Sequence, residues 1–169
     1  MRTPAEALAL FDSLPAVPLG AMRGRWRGEG FHTGHPLDGL LEACHWHGKH
    51  FDDVDDVQPL VFETLLGGTV AVRPLGVRLG IALVLRFPIL KSPPVGRLVQ
   101  AVLPLLATRR SQARLRMTES RGRSSATIVY DTVPINDVLR QLDADSVLGM
   151  MDLKGLQQPL FFVLRRERG

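Results

Sequence analysis

The sequence predicts a mainly β fold: a closed or nearly closed antiparallel barrel with an N-terminal helix and a helical insertion across residues 75–107. Three observations carry this reading. About eight short β-prone runs recur along the chain between turn-like segments. A tryptophan flanked by glycines opens the first of them, at Gly24-Arg25-Trp26-Arg27-Gly28. The remaining long stretch, residues 75–107, is rich in Leu, Ile and Val, free of acids and cut by Pro88, Pro93, Pro94 and Pro104.

The elements follow in order. Thr3, Pro4 and Glu6 spell the start of a helix, with a Thr-x-x-Glu capping box and proline in the first turn. Ala7, Leu8, Leu10, Phe11 and Leu14 supply its apolar stripe, and Pro15 and Pro18 end it. In the strand that begins at Gly24, period-two alternation puts Trp26 on the opposite face from Arg25 and Arg27. The flanking glycines indicate close backbone approach or a barrel bend, with the indole plugging one end. Residues 37–43 predict one or two helical turns, residues 43–51 an extended run, and Asp52 to Asp56 a turn. Residues 57–66 and 68–72 pair across Gly67-Gly68.

Residues 75–107 predict two short helices around a proline hinge, the second with helical apolar spacing from Val95 to Leu106. Residues 113–119 alternate with period two and form the clearest hairpin with residues 125–130, across Arg121-Gly122-Arg123. Residues 134–139 predict a helical turn that ends before Asp143. Residues 146–153 and 159–166 are the final strands, with Leu160, Phe162 and Leu164 on one face and Phe161 and Val163 on the other.

The chain of 169 residues, 45% hydrophobic and 22% charged, has the composition of a single globular domain. One cysteine, Cys44, cannot form an internal disulfide, and residues 1–20 lack the pattern of a secretory signal, so the cytosol is the expected compartment. Arg78 and Arg86 interrupt the most apolar stretch before it reaches membrane-spanning length. The net charge of +4 conceals segregation. Residues 29–63 hold eight acids against one base, Lys49, whereas residues 73–123 hold ten arginines and Lys91 against one acid, Glu119. That asymmetry suits an anionic partner (lipid headgroups, a phosphorylated ligand or nucleic acid) or simply solvated arginine faces. Nucleic acid is disfavoured, because Phe87 is the sole aromatic residue between Arg73 and Arg123.

The segment Gly24-Arg25-Trp26-Arg27-Gly28, followed by Gly34-His35-Pro36-Leu37-Asp38-Gly39-Leu40-Leu41-Glu42, resembles the bacterial GXWXG domain. Ala113-Arg114-Leu115-Arg116, Tyr130-Asp131, Pro134-Ile135-Asn136-Asp137 and Leu148-Gly149-Met150-Met151-Asp152 resemble the uncharacterised domain that commonly follows it. The chain thus divides into a GXWXG-like part over residues 1–66, the basic apolar insertion over 75–107 and C-terminal strands over 111–169, within one domain. The family is named for its motif, so the resemblance implies no activity. The Gly-x-Trp behind a short helix is also similar to lipocalins and nitrobindin-like proteins, which implies a calycin-like β-barrel. That similarity implies, in turn, that Arg165 or Arg166 covers Trp26 as a structural pair alongside Gly24 and Gly28. Nitrobindin-like proteins bind haem through a histidine late in the chain, and here the last histidine is His50.

Reactive side chains are densest at Cys44-His45-Trp46-His47, with His50 close behind and His32 and His35 upstream, but their spacings match no usual zinc pattern. Asp131, Asp137, Asp143, Asp145 and Asp152 fall at expected turns and strand ends, where carboxylates form turns or caps. Neither a Gly-x-Ser-x-Gly elbow nor a phosphate or dinucleotide loop is present. The expected function is therefore non-catalytic binding of a hydrophobic or amphipathic ligand, a lipid or fatty acyl compound, in the barrel, with no cofactor. Arg114 and Arg116 are the candidates for a ligand's acidic group, and Tyr130, Asn136 and Asp137 are candidates to reach the cavity. The alternatives are an enzyme using the same cavity and a haem protein using His32, His45, His47 or His50. Residues 75–107 form a lid in contact with an anionic membrane, a fixed core cover or a homodimer interface.

Overall fold

Nine antiparallel strands form one sheet that closes on itself in the computed structural model, which describes residues 2–74 and 77–168 apart from the side chain of Arg78. They are β1 (Gly24–Gly30), β2 (Trp46–Asp53), β3 (Asp56–Glu63), β4 (Thr69–Ala71), β5 (Ala113–Ser120), β6 (Arg123–Tyr130), β7 (Ile135–Asp143), β8 (Ser146–Leu153) and β9 (Leu160–Arg166). Their order is β2-β1-β9-β8-β7-β6-β5-β3-β4, and β2 also pairs with β3. That pairing closes a barrel of eight strands, with β4 appended to β3. The hairpins expected across Gly67-Gly68 and Arg121-Gly122 are both present.

The wall is packed from both sides. Inside, Trp26, Phe51, Leu115, Ile128, Leu139, Phe162 and Leu164 belong to one buried cluster. Outside, helix α1 (Pro4–Ser13), capped by the Thr3–Glu6 box, lays Ala7 and Phe11 over Val138, Leu148, Met150, Phe161 and Val163. This two-sided burial explains the one element read wrongly from sequence. Of residues 134–139, those from Ile135 onward begin strand β7 rather than a helical turn: Ile135, Asp137 and Leu139 are buried on one face, Val138 and Arg140 on the face beneath α1. A strand covered on both faces shows no hydrophobic-in, polar-out alternation, so its period is hidden.

Helix α2 (Leu40–Ala43) precedes β2. Between β4 and β5 run α3 (Val77–Arg86), a 3-10 turn at Pro88–Lys91, α4 (Pro93–Val102) and a 3-10 turn at Leu103–Leu106. Leu75 and Gly76, where the insertion was expected to start, lie outside the described residues. Pro88 and the Pro93-Pro94 pair each open a new helical segment, and Pro104, which has no N–H to donate, ends α4 sooner than apolar spacing suggested. Ile81 and Val84 insert into the inner cluster, and Gly96 lies so close to the Ala43 carbonyl that a side chain there would collide with it. Among the described residues no helix is long and apolar enough to cross a membrane.

Candidate ligand-binding site

The two glycines and the tryptophan of the Gly24-Arg25-Trp26-Arg27-Gly28 segment each have their own structural reason. Gly24 has φ of +110°, a conformation other residues seldom adopt. Trp26 is 1% exposed and donates Nε1–H to the Met22 carbonyl at 2.8 Å. The Arg166 guanidinium lies 4.4 Å from the indole centroid and donates to the Arg23 and Ala21 carbonyls at 2.9 and 2.6 Å. Arg165 instead faces outward, bonded to Glu29 at 2.7 Å. Gly28 leaves room for the ring of Trp46, which a Cβ at this position would strike.

Trp46 begins a second, more polar group inside the barrel. Lys49, 3% exposed, donates Nζ–H to Asp137 Oδ2 at 2.8 Å, the Tyr130 hydroxyl at 3.1 Å and the Pro59 carbonyl at 3.1 Å. Its ammonium also lies 5.4, 5.5 and 4.9 Å from the ring centroids of Trp46, Tyr130 and Phe162. Tyr130 donates to Asp137 Oδ2 at 3.2 Å. Burial, and the Asp137 carboxylate beside it, hold the tyrosine hydroxyl well above its ordinary range, so it stays protonated and serves as a donor. Two buried polar atoms in this group have no hydrogen-bond partner among the described residues: Asp137 Oδ1, an acceptor, and Trp46 Nε1, a donor.

Two clefts reach the same group from outside. One, of about 290 Å³, has Lys49, His47, His50, Gln58 and Arg25 in its walls. The other, of about 220 Å³ beside α2, is bounded by Trp46, Gly28, Gly30, Leu41 and Glu42.

The structure brings Tyr130 and Asp137 together and leaves the other sequence candidates apart from them. Asn136 is exposed on β7. Arg114 and Arg116 project outward from β5, paired with Asp131 at 3.4 Å and with Asp55. Their inward neighbours, Ala113 and Leu115, are the ones that face the core. The strand alternation was read correctly; which face lay inside was not fixed by the sequence. His32 pairs with Glu42, His47 with Glu63 and Glu167, and His50 with Asp52, while His45 sits at φ of 54° in the turn before β2. Among the described residues, no three His, Cys, Asp or Glu side chains are grouped to hold a metal ion. The Cys44 thiol is pushed up by burial, away from the reactive thiolate.

Sequence reasoning missed Lys49. A strand of strict period two would put Trp46, Gly48 and His50 on one face and turn Lys49 away from them. Register shifts around Gly48 break that period and bring Trp46 and Lys49 to the same side. Gly48 has φ of +148° and abuts the Trp26 carbonyl, where a side chain would clash. The available signal was a lone lysine, between Trp46 and Phe51, in a segment with eight Asp and Glu residues and no other Lys or Arg.

The family model described as "GXWXG protein" matches residues 9–67, and the model for a "Domain of unknown function (DUF4334)" matches residues 111–166. A crystal structure of a protein from Thermomonospora curvata is 33% identical to this chain, with a TM-score of 0.72, and covers 97% of this chain and 87% of its own. The chain belongs to the GXWXG family. No curated protein matches it.

In this GXWXG chain the two matched stretches supply the two halves of the interior group. Trp46 and Lys49 come from the first, Tyr130 and Asp137 from the second, and the helical insertion falls between them. The loop from Gly34 to Glu42 ties that insertion down. Asp38 Oδ2 accepts the backbone N–H groups of Thr33, Gly34 and His35 at 2.8–3.0 Å. The loop so shaped turns the Pro36 and Asp38 carbonyls to Lys91 Nζ, at 3.0 and 2.8 Å.

Proposed function

We propose that this chain binds an amphipathic small molecule, a lipid or fatty acyl compound, with its polar group at Lys49, Tyr130 and Asp137 and its apolar part beneath α3. The observation that carries the reading is the pair of unpartnered buried atoms, Asp137 Oδ1 and Trp46 Nε1, on two residues that flank one ammonium. Buried polar groups are nearly always hydrogen-bonded, so an acceptor and a donor left open on two residues around one ammonium favour a guest that supplies partners to them. Lys49 is already neutralised by Asp137, so the matching headgroup is an uncharged donor–acceptor such as a hydroxyl, an amide or a protonated carboxyl. The interior is filled by side chains, and a long chain gains entry by lifting Ile81 and Val84 out of the inner cluster. The role proposed is binding, in which Tyr130, protonated at neutral pH, is a fixed hydrogen-bond donor.

Native mass spectrometry of the purified protein, before and after incubation with oleyl alcohol, oleamide and oleate, tests this reading. The expected result is a retained or captured amphiphile, with the two neutral compounds held more tightly than oleate at neutral pH. Trp46→Phe removes the free indole donor, keeps a ring over Gly28 and weakens capture about 10-fold, the effect of one hydrogen bond of ~1.4 kcal/mol. An apo mass unchanged by all three compounds overturns the proposal.

A further inference from the structure

We infer that the helical insertion is a docking surface for an anionic lipid bilayer. Three observations converge on it, and none depends on the interior site.

The first is apolar exposure. Ile81 and Val84 of α3 and Gly96 and Gln100 of α4 face inward, yet the opposite faces of the two helices are apolar. Leu79 and Leu83 lie one turn apart on α3, Leu98 and Val102 one turn apart on α4, and all four are exposed. Ile89 in the intervening turn is 74% exposed and Leu105 is 82% exposed. Isolated exposed leucines are ordinary, but a run of them on consecutive short helices marks a surface that is covered in use.

The second is charge. No acidic residue occurs between Glu63 and Glu119. Arg73, Arg86, Arg97, Arg109 and Arg110 are exposed, and none forms an ion pair among the described residues. On the barrel, by contrast, Arg27, Arg114, Arg116, Arg121 and Arg165 each meet a carboxylate. Leucines that enter the acyl boundary beside arginines that stay at the headgroups are the composition of an interfacial helix.

The third is the placement of the acids. Gln100 of α4 donates to the Glu63 carbonyl, so the helices sit at the Glu63 end of β3. Asp52, Asp53, Asp55 and Asp56 cluster at the other end, about 25 Å away at ~3.3 Å per residue of an eight-residue strand. The four-aspartate turn thus lies away from α3 and α4, whose Arg86 and Arg97 meet no acid within the insertion itself, and a negatively charged surface favours approach helices-first. A second copy is a poorer occupant, because two-fold pairing through this face sets its arginines against their own images. Nucleic acid is poorer still, with Phe87 as the one stacking side chain.

Co-sedimentation of the full chain with phosphatidylcholine vesicles, with and without phosphatidylglycerol, tests the inference. Binding is expected to phosphatidylglycerol vesicles, to fall with added salt, and to be weak on phosphatidylcholine alone. Arg86→Glu with Arg97→Glu weakens it by at least about tenfold, since each reversed charge near the surface counts for roughly 1 kcal/mol or more. Leu83→Gln with Leu98→Gln weakens it to a similar degree. All four positions are exposed, and an unchanged melting temperature identifies variants that fold. Absence of binding, equal binding to both vesicle types, or a solution dimer that the leucine variants dissociate without any vesicle binding overturns the inference. Amphiphile capture by Lys49 and its partners is read separately by native mass, so the two proposals fail independently.

Discussion

Two tryptophans point into this barrel from neighbouring strands, and their surroundings differ in one respect. At Trp26 every polar atom has a protein partner: the indole donates to Met22, and Arg166 covers the ring and spends its own donors on Arg23, Ala21 and Asp145. At Trp46 the indole N–H is buried without an acceptor among the described residues, near an ammonium whose partners are a tyrosine and a carboxylate with one oxygen likewise unpartnered among them. Both regions are buried to a similar degree, so burial alone does not separate structure from site. Completeness of hydrogen bonding does.

The largest effect that sharpens this contrast belongs to Trp26. Trp26→Ala removes the plug, frees the Met22 carbonyl and strips Arg166 of its ring, and is expected to lower stability by about 5 kcal/mol in urea titration. Trp46→Phe leaves a ring over Gly28 and eliminates a donor that has no partner, and is expected to change stability by less than about 1 kcal/mol. Equal losses for the two variants break the comparison. Next comes Lys49→Met, which strands a buried carboxylate and costs about 3 kcal/mol. Adding Asp137→Leu removes the stranded charge, and the double variant is expected to regain most of that loss. A double variant no more stable than Lys49→Met shows that the ion pair itself, rather than the unpaired charge, supports the barrel.

Legibility in the sequence tracked how many faces of an element are wet. β5, with one face in water along much of its length, announces itself through alternation, and β6, buried on both faces from Ser125 to Ile128, is legible through the Arg121-Gly122-Arg123 turn that joins it to β5. β7 is covered by α1 on one side and the core on the other, and its polar Asn136-Asp137 pair imitated a turn. The GXWXG segment was legible as a strand and a plug, but not the reason for its second glycine, because Trp46 lies eighteen positions from Gly28 in the chain. Half of the interior group was named from sequence through Tyr130 and Asp137. The other half was hidden by the irregularity at Gly48, which no local pattern announces.

That glycine-to-ring contact supplies an intermediate effect. Gly28→Ala drives a methyl into the Trp46 ring, displaces the indole from Phe162, 5.7 Å away between centroids, and is expected to cost about 2 kcal/mol. If the strain acts through Trp46, the same substitution made on a Trp46→Ala background, where no ring faces Gly28, costs distinctly less, and a thermal melt of the four proteins measures the difference. Equal penalties on both backgrounds assign the requirement to the backbone of Gly28 instead.

The smallest expected effect is a pH dependence at the loop that holds Lys91. Burial pushes the His35 imidazole below its ordinary value of 6.5, against the pull of Asp38, and the residue is 4% exposed. The neutral ring accepts the Leu37 N–H at Nδ1 over 3.1 Å, a bond that protonation at that nitrogen removes. A histidine depressed in the folded state binds fewer protons folded than unfolded, so its contribution is complete above pH 6.5, falls as pH drops below that value, and levels off below the folded pKa. Asp12 and Asp145 are also depressed, by their hydrogen bonds from Arg121 and Arg168, but from a starting value of 3.8; their contributions hold above that pH and are lost only as it falls further. The two windows are therefore separate. Melting temperature is expected to decline gently from pH 7 to 5, and His35→Asn, which keeps a side-chain acceptor for the N–H two residues on and does not titrate there, is expected to flatten that slope while leaving the acid limb below pH 4 unchanged. A slope from pH 7 to 5 that survives in His35→Asn locates the titrating group elsewhere.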